Sequence, residues 1–283
     1  MTPKANIIET HFGKFMIWQT DIALFKRLSE IHASQIDERI IIASKSILEI
    51  LRNYSHNQVV LDIGANAGIF SIPLAIFFPE IQFHCFEVQK LVFQQLCGNV
   101  FLNSLKNVFS HNCAIGNHNA TIEIPILDNY EKTYNVGGYT LDQSSLTQLR
   151  AMIGKDYLKS NKSEFASLKT IDSIEDLPPA GLIKIDVEGQ ELEVLEGARN
   201  YLERSGFPPI LLEAWDYPWY AEKKIRLFNF LISMEYDLVE KAFFNDNNYL
   251  VQNKKSSKII LSFQKDKKSE KIYLSRNIRV NSR

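Results

Sequence analysis

Acidic side chains at the ends of apolar runs are the groups through which this sequence could do chemistry. Val59-Val60-Leu61-Asp62 leads into Ile63-Gly64-Ala65-Asn66-Ala67-Gly68; Leu182-Ile183-Lys184-Ile185-Asp186 leads into Val187-Glu188-Gly189; and Pro209-Ile210-Leu211-Leu212 ends on Glu213. A carboxylate within hydrogen-bond reach of a hydroxyl can take its proton, and crowding by other acids raises its pKa toward a working pH. Asp186 is the expected base, with Glu188 and Glu213 orienting the hydroxyls of an acceptor. The same three acids could instead hold a divalent cation such as Mg²⁺, which favours oxygen ligands. A structural ion pair between Lys184 and a carboxylate is the alternative without chemistry.

Asp62 discriminates between cofactors. An apolar strand turning through Gly64 and Gly68 into the run Ile69 to Ala75 is a strand, loop and helix of the kind that holds nucleotides. The dinucleotide fingerprint fails on spacing, because Asn66 stands at its second glycine position and Ile69 at its sixth. A carboxylate at the mouth would also repel a pyrophosphate, whereas S-adenosylmethionine has no phosphate and carries an ammonium that Asp62 could hold. A second strand, Ile81 to Phe86, ends at Glu87, 25 residues beyond Asp62, near the ~20-residue spacing of a ribose-binding acid. Glu87 is therefore expected on the ribose hydroxyls. A third, Val108 to Cys113, leads to Ala114-Ile115-Gly116, where backbone and the Asn112 side chain could edge the adenine.

These blocks, taken with Leu168-Lys169-Thr170-Ile171-Asp172-Ser173, the run Ile183 to Glu191, Val194-Leu195-Glu196-Gly197-Ala198 and Leu211-Leu212-Glu213, resemble the FkbM family of S-adenosylmethionine-dependent methyltransferases over roughly residues 55 to 255. Lys-x-Asp-Val-Glu-Gly-x-Glu is the most specific of them. Val88 departs from the proline the family usually has after the acidic residue, which removes no polar group. The resemblance implies methylation of hydroxyl oxygens, often of sugars or polyketide-type small molecules. It implies an α/β fold of the Rossmann-like class I methyltransferase kind: a mostly parallel seven-stranded sheet with an antiparallel last strand and helices on both faces. Ala65, Asn66, Phe70, Val88 and Cys113 join Asp62, Gly64, Gly68, Glu87, Asn112 and Ala114 as expected cofactor contacts.

Positioning these groups requires a frame. Gly13 to Trp18 reads as a strand, and Leu24, Leu28, Ile31, then Ile41, Ile47, Leu48 and Leu51, recur with helical period, so residues 1–54 are expected to form a strand and a helical cap. The methyltransferase domain is placed at 55–253, with the polar stretch 128–166 as a lid-like insertion hinged at Gly137-Gly138. Tyr236 to Val239 and Asn248 to Val251 read as a closing hairpin, and Trp215, Tyr217, Trp219 and Tyr220 stand beside the acidic rim, where aromatic faces suit a sugar ring or pack a loop.

Composition bounds the rest. A chain of 283 residues with 45% hydrophobic content can bury a large core. The longest apolar runs are too short to span a bilayer, and Cys85, Cys97 and Cys113 form no Cys-x-x-Cys pair, so reduced thiols of a cytoplasmic protein are expected. His84 and His111 fall in strand patterns and read as core residues. Residues 254–283 hold ten Lys or Arg against two acids, against a whole-chain formal charge of −1. Such asymmetry suggests polyanion contact. Glycan or small-molecule O-methylation is the leading function; ribose 2′-O-methylation of RNA recruited by that tail, and a non-catalytic cofactor-binding scaffold, are the alternatives.

Overall fold

The computed structural model describes residues 5–19, 21–29, 35–54, 58–127, 136–241, 247–253, 259–265 and 272–278. Strands β1 (Ala5–Thr10) and β2 (Gly13–Trp18) form an antiparallel hairpin, followed by α1 (Ile22–Ser29) and α2 (Gln35–Tyr54). Alternation then begins: β3 (Val59–Ile63), α3 (Ser71–Phe77), β4 (Gln82–Phe86), α4 (Lys90–Leu102) and β5 (Val108–His111). A side layer follows from β6 (Ala114–Ile115), β7 (Ala120–Pro125), α5 (Gln143–Ile153) and β8 (Ser163–Lys169). The chain re-enters the main sheet with β9 (Leu182–Ile185), α6 (Glu191–Glu196), α7 (Arg199–Arg204), β10 (Ile210–Glu213), α8 (Ala221–Ser233), β11 (Leu238–Lys241) and β12 (Asn248–Gln252). Last come β13 (Ile259–Lys265) and β14 (Ile272–Ile278), an antiparallel hairpin of their own.

The main sheet has seven strands in the order β11-β12-β10-β9-β3-β4-β5. β5, β4, β3, β9 and β10 run parallel, while β12 is antiparallel to both β10 and β11. This is the expected architecture, and its cause lies in strand parity. One alternating set, Leu61, Ile63, Ile183, Ile185, Ile210 and Leu212, packs against Val194, Leu202, Leu227 and Leu231 from α6, α7 and α8. The other set, Val60, Leu182 and Leu211, packs on the opposite face against Ile47, Leu48, Leu74 and Leu96 from α2, α3 and α4. Successive strand residues point to opposite faces, so a sheet covered by helices on both sides is apolar at every position and any charge within it stands out.

The side layer departs from the sequence reading. Ala114 and Ile115 form the short strand β6, pairing in parallel with Leu168 and Lys169 of β8, which is antiparallel to β7. The segment expected to be a lid is thus partly ordered structure: Ser163–Lys169 is a sheet strand, and Gln143–Ile153 is a helix whose N-terminal amides, Ser144 and Ser145, are accepted by the Asp142 side chain. Residues 128–135, the first part of that insertion, lie outside the described residues, as do 254–258, 266–271 and 279–283 of the basic tail. Cys85, Cys97 and Cys113 are free thiols, and no described helix is long and apolar enough to cross a membrane.

Candidate active site

The parallel register of β3 with β9 sets Asp62 beside Lys184. Each lies two residues beyond Val60 or Leu182 and so on the sheet face covered by α2, α3 and α4, and Asp62 is fully buried. Its carboxylate is engaged on both oxygens: Ser71 Oγ donates to Oδ2 at 2.6 Å, and Lys184 Nζ to Oδ1 at 3.3 Å. Lys184 Nζ also reaches Asp186 Oδ2 at 3.2 Å. Burial alone would lower the lysine pKa, but the charges of Asp186 and Asp62 outweigh it and hold the ammonium protonated. Lys184 therefore ties the start of the glycine loop to the acidic rim. Phe70, whose ring lies 5.5 Å from Nζ, closes the other side.

Gly64 has a reason for its identity that the sequence did not disclose. It sits at φ +82°, and a Cβ there would lie 1.8 Å from the carbonyl oxygen of Asp186. The glycine allows the ends of β3 and β9 to touch, which places the cofactor loop and the catalytic candidates side by side.

Asp186, Glu188 and Glu213 do converge. One carboxylate oxygen from each lies within 4.8 Å of the others, a spacing that would also admit a divalent cation. Glu188 adopts φ +56°, followed by Gly189 at φ +93°, so the chain leaves β9 through a left-handed turn. Burial, then the charges of Asp186, Glu188 and Glu191, raise the Glu213 pKa well above the ordinary carboxylate value, and Glu213 and Asp186 share a hydrogen bond. Two carboxyls this close hold a proton between them. Glu191, which the sequence reading left without a role, is buried beneath the rim, where it accepts from Gly189 N at 3.0 Å and from Tyr220 Oη at 3.0 Å. Burial pushes its pKa up to about 7.

Aromatic side chains extend the rim. Trp215 and Tyr220 are buried and pack around Gly189. Tyr217 and Trp219 stack on each other, centroids 5.2 Å apart at 11°, with Tyr217 open to solvent. Tyr157, beyond α5, packs with Trp215 and Tyr220, and burial followed by the charge of Glu188 lifts its pKa to about 12. The segment carrying it is strapped at both ends. The Gln89 amide donates to Val136 O at 2.9 Å next to the glycine loop, and Lys223 of α8 pairs with Asp142. At Gly137 a Cβ would lie 1.9 Å from the Asn66 side-chain nitrogen, so the strap presses on the glycine loop itself.

On the other side of that loop, Glu87 is buried and accepts backbone hydrogen bonds from Asn66 at 3.0 Å and Gln89 at 2.9 Å. Burial lifts its pKa to about 7, against the pull of those amides. The Asn112 amide donates to the carbonyls of Glu87 and Val88, fixing the strand end. Ala65, Cys113 and Ala114 are buried around this corner, and Gly68, at φ +86°, abuts Ile72 and Leu96. The structure thus gathers the expected cofactor residues at the carboxyl ends of β3, β4 and β5, with Asp62 set beneath the loop. Hydrogen-bond acceptors dominate at this mouth: Glu87 and Asp186 bring carboxylates, while Lys184 is spent between Asp186 and the Asp62 carboxylate beneath the loop. Such a mouth fits the diol and positive charge of S-adenosylmethionine and opposes a pyrophosphate. His84 and His111 stack with Nδ1 and Nε2 3.1 Å apart on β4 and β5; His84 is buried as expected of a core residue, whereas His111 is half-buried on the edge strand.

A doubly covered sheet of this strand order, with acids at the carboxyl ends of its parallel strands, defines a Rossmann-like methyltransferase fold. The model of the FkbM methyltransferase domain matches residues 62–250, and the chain belongs to that family. It is 23% identical over 149 residues to Methyltransferase 1 of Beauveria bassiana, covering 51% of this chain and 59% of that protein. It is 25% identical over 173 residues to Methyltransferase sdnD of Sordaria araneosa, covering 52% and 62%. The matches therefore span about three fifths of these relatives. Among solved structures, precorrin-6y C5,15-methyltransferase from Geobacter metallireducens aligns with a TM-score of 0.41 at 14% identity, over 87% of each chain.

Proposed function

We propose that the chain transfers a methyl group from S-adenosylmethionine to a hydroxyl oxygen of a sugar, glycan or other small acceptor. The observation that carries this reading is the meeting of Asp186, Glu188 and Glu213 at one rim, joined through Lys184 to the cofactor loop. S-adenosylmethionine supplies, when bound, an electrophilic methyl carbon on a positively charged sulfur. Glu87, the Asn66–Gly68 turn and the Asn112–Ala114 corner would hold its nucleoside, and Asp62 acts from beneath by fixing Lys184 and the start of the loop. Lys184 stabilises Asp186 as the anion, while burial and neighbouring acids make Glu213 the more basic partner. Glu213 therefore holds the proton the two carboxyls share, Asp186 beside Lys184 takes the acceptor's proton, and Glu188 orients its hydroxyls. Tyr217 and Trp219 offer the stacking face for a ring, and the strap over 136–158 bounds the site and excludes water.

Transfer of a labelled methyl group to a panel of monosaccharides, glycolipids, aliphatic polyols and RNA tests this. Label on a sugar or polyol hydroxyl that disappears in Asp186→Asn supports the reading. Label on RNA that depends on residues 254–283 would replace it with ribose methylation, and cofactor binding with no transfer to any acceptor would leave a scaffold.

A further inference from the structure

Glu191 is the buried acid beneath the rim that the transfer chemistry leaves unused. It is only 2% exposed, and a carboxyl out of water is costly unless its oxygens are engaged. Both are. Oε1 accepts from the backbone nitrogen of Gly189 and Oε2 from the hydroxyl of Tyr220, each at 3.0 Å. These two donors belong to the two sides of the proposed acceptor site, the acidic turn and the aromatic wall.

On the first side, β9 ends at Ile185, so the turn through Glu188 and Gly189 lies beyond the sheet ladder and Glu191 takes its Gly189 amide. Glu188 stands at φ +56°, a conformation that a residue other than glycine keeps only where its surroundings impose it. On the second side, Tyr220 closes the 3₁₀ turn Pro218–Tyr220. Its ring meets Trp219 edge-on, centroids 6.0 Å apart at 84°, and Trp219 in turn stacks on Tyr217. Trp215, 5.2 Å from the Tyr220 ring, lies so close over the acidic turn that a Cβ on Gly189 would come within 3.1 Å of it. Burial and the charge of Glu191 keep the Tyr220 phenol protonated, well above its ordinary pKa, and so a donor to that carboxyl.

We propose that Glu191 is a positioning residue: it pins the turn carrying Glu188 and the Tyr217–Trp219 stack to one carboxyl group, and so sets where an acceptor ring lies against the reacting rim. The proposal rests on the methyl-transfer reading above and adds to it a residue that acts through others. Alignment at the reacting atoms is what such a clamp supplies, and a misplacement of about 1 Å can cost about 10²-fold in rate. Glutamine keeps an oxygen for the Gly189 amide and turns an N–H toward the Tyr220 hydroxyl, which accepts as well as it donates. Glu191→Gln therefore preserves the clamp, Glu191→Leu removes both bonds, and Tyr220→Phe removes the one to the aromatic wall.

Steady-state methyl transfer by these three variants of the full chain, to the sugar or polyol of the panel above that takes label, tests the assignment beside calorimetric titration with S-adenosylhomocysteine. Expected for Glu191→Leu is a kcat lowered by about 10- to 100-fold with a raised acceptor KM. For Tyr220→Phe it is an acceptor KM raised about 3- to 10-fold with kcat within about twofold. Glu191→Gln should restore both constants to within a few-fold of the wild type. S-adenosylhomocysteine affinity stays unchanged in all three, which also certifies the fold; if Glu191→Leu fails to fold, the KM-against-kcat split in Tyr220→Phe carries the test. Wild-type constants in Glu191→Leu and Tyr220→Phe, no rescue by Glu191→Gln, or transfer in Tyr220→Phe that falls in step with S-adenosylhomocysteine affinity overturns the role of Glu191 while leaving the methyl-transfer reading standing. A wild type that binds S-adenosylhomocysteine and labels no acceptor overturns the two together.

Discussion

Lys184→Met is the substitution whose outcome the structure specifies most fully. It leaves Asp62, fully buried, with the single hydroxyl of Ser71 for company, and releases Asp186 from its cation. At 3.2–3.3 Å each ion pair is worth about 5 kcal/mol of Coulomb energy at an effective dielectric near 20, before desolvation is subtracted. Removing one partner of a buried pair typically costs about 3–5 kcal/mol, because the other charge stays buried. Methionine keeps the apolar stem against Phe70, so the loss is electrostatic. Urea denaturation at pH 7 should show Lys184→Met destabilised by about 3–5 kcal/mol, while Asp62→Asn/Lys184→Met together lose at least about 1.5 kcal/mol less than the sum of the single variants. A loss under about 1 kcal/mol in Lys184→Met, or singles that add to within about 0.5 kcal/mol, would refute the bridge between loop and rim.

Asp186→Asn should lower single-turnover methyl transfer by about 10²–10⁴ with cofactor affinity within a few-fold, and Glu213→Gln by a similar factor if the two act as one base. Chelator inhibition of the wild type, reversed by Mg²⁺, would instead show that the three acids hold a cation. Glu87 and Glu191, each lifted to about 7 by burial, bind protons on folding. Their stabilisation is complete below the unfolded value near 4.5 and is lost as pH rises through 7. Unfolding free energy should therefore decline between pH 5 and 8, and Glu191→Gln should flatten part of that slope; an unaltered slope in the variant argues against the shift. Asp142→Ala removes the α5 cap and the Lys223 pairing. Hydrogen exchange should show faster amides across 143–153, and the global unfolding free energy should fall by about 1–2 kcal/mol at most; protection equal to the wild type would mean that the strap is held elsewhere.

The sheet was legible because its strands are short apolar runs bounded by Gly, Pro and acids, and because parallel strands buried on both faces leave charges conspicuous. Asp62, Lys184, Asp186 and Glu213 stood out for that reason, and the register of β3 against β9 explains why two of them meet. What the sequence hid depends on contacts between distant segments. Asp142 and Lys223 are 81 residues apart, and Asn99 reaches Met16 across 83, so neither pairing leaves a local pattern. The polarity of 128–166 suggested a loop because α5 and β8 each turn only part of their surface inward, with Leu146 and Leu149 as the buried members of α5. Glu191 was in plain view within Lys-x-Asp-Val-Glu-Gly-x-Glu. Its acid could have been suspected of holding the preceding turn, since Gly189 stands two residues before it.

Titration calorimetry of the full chain with S-adenosylhomocysteine and with NADH, in the wild type and in Glu87→Ala, bears most directly on the central claim that acids at the carboxyl ends of β3 and β4 hold a phosphate-free methyl donor. The account predicts saturable, one-to-one binding of S-adenosylhomocysteine, no binding of NADH, and at least about tenfold weaker S-adenosylhomocysteine binding once the Glu87 carboxylate is gone. Binding of NADH in place of S-adenosylhomocysteine, or S-adenosylhomocysteine affinity indifferent to Glu87, would contradict it.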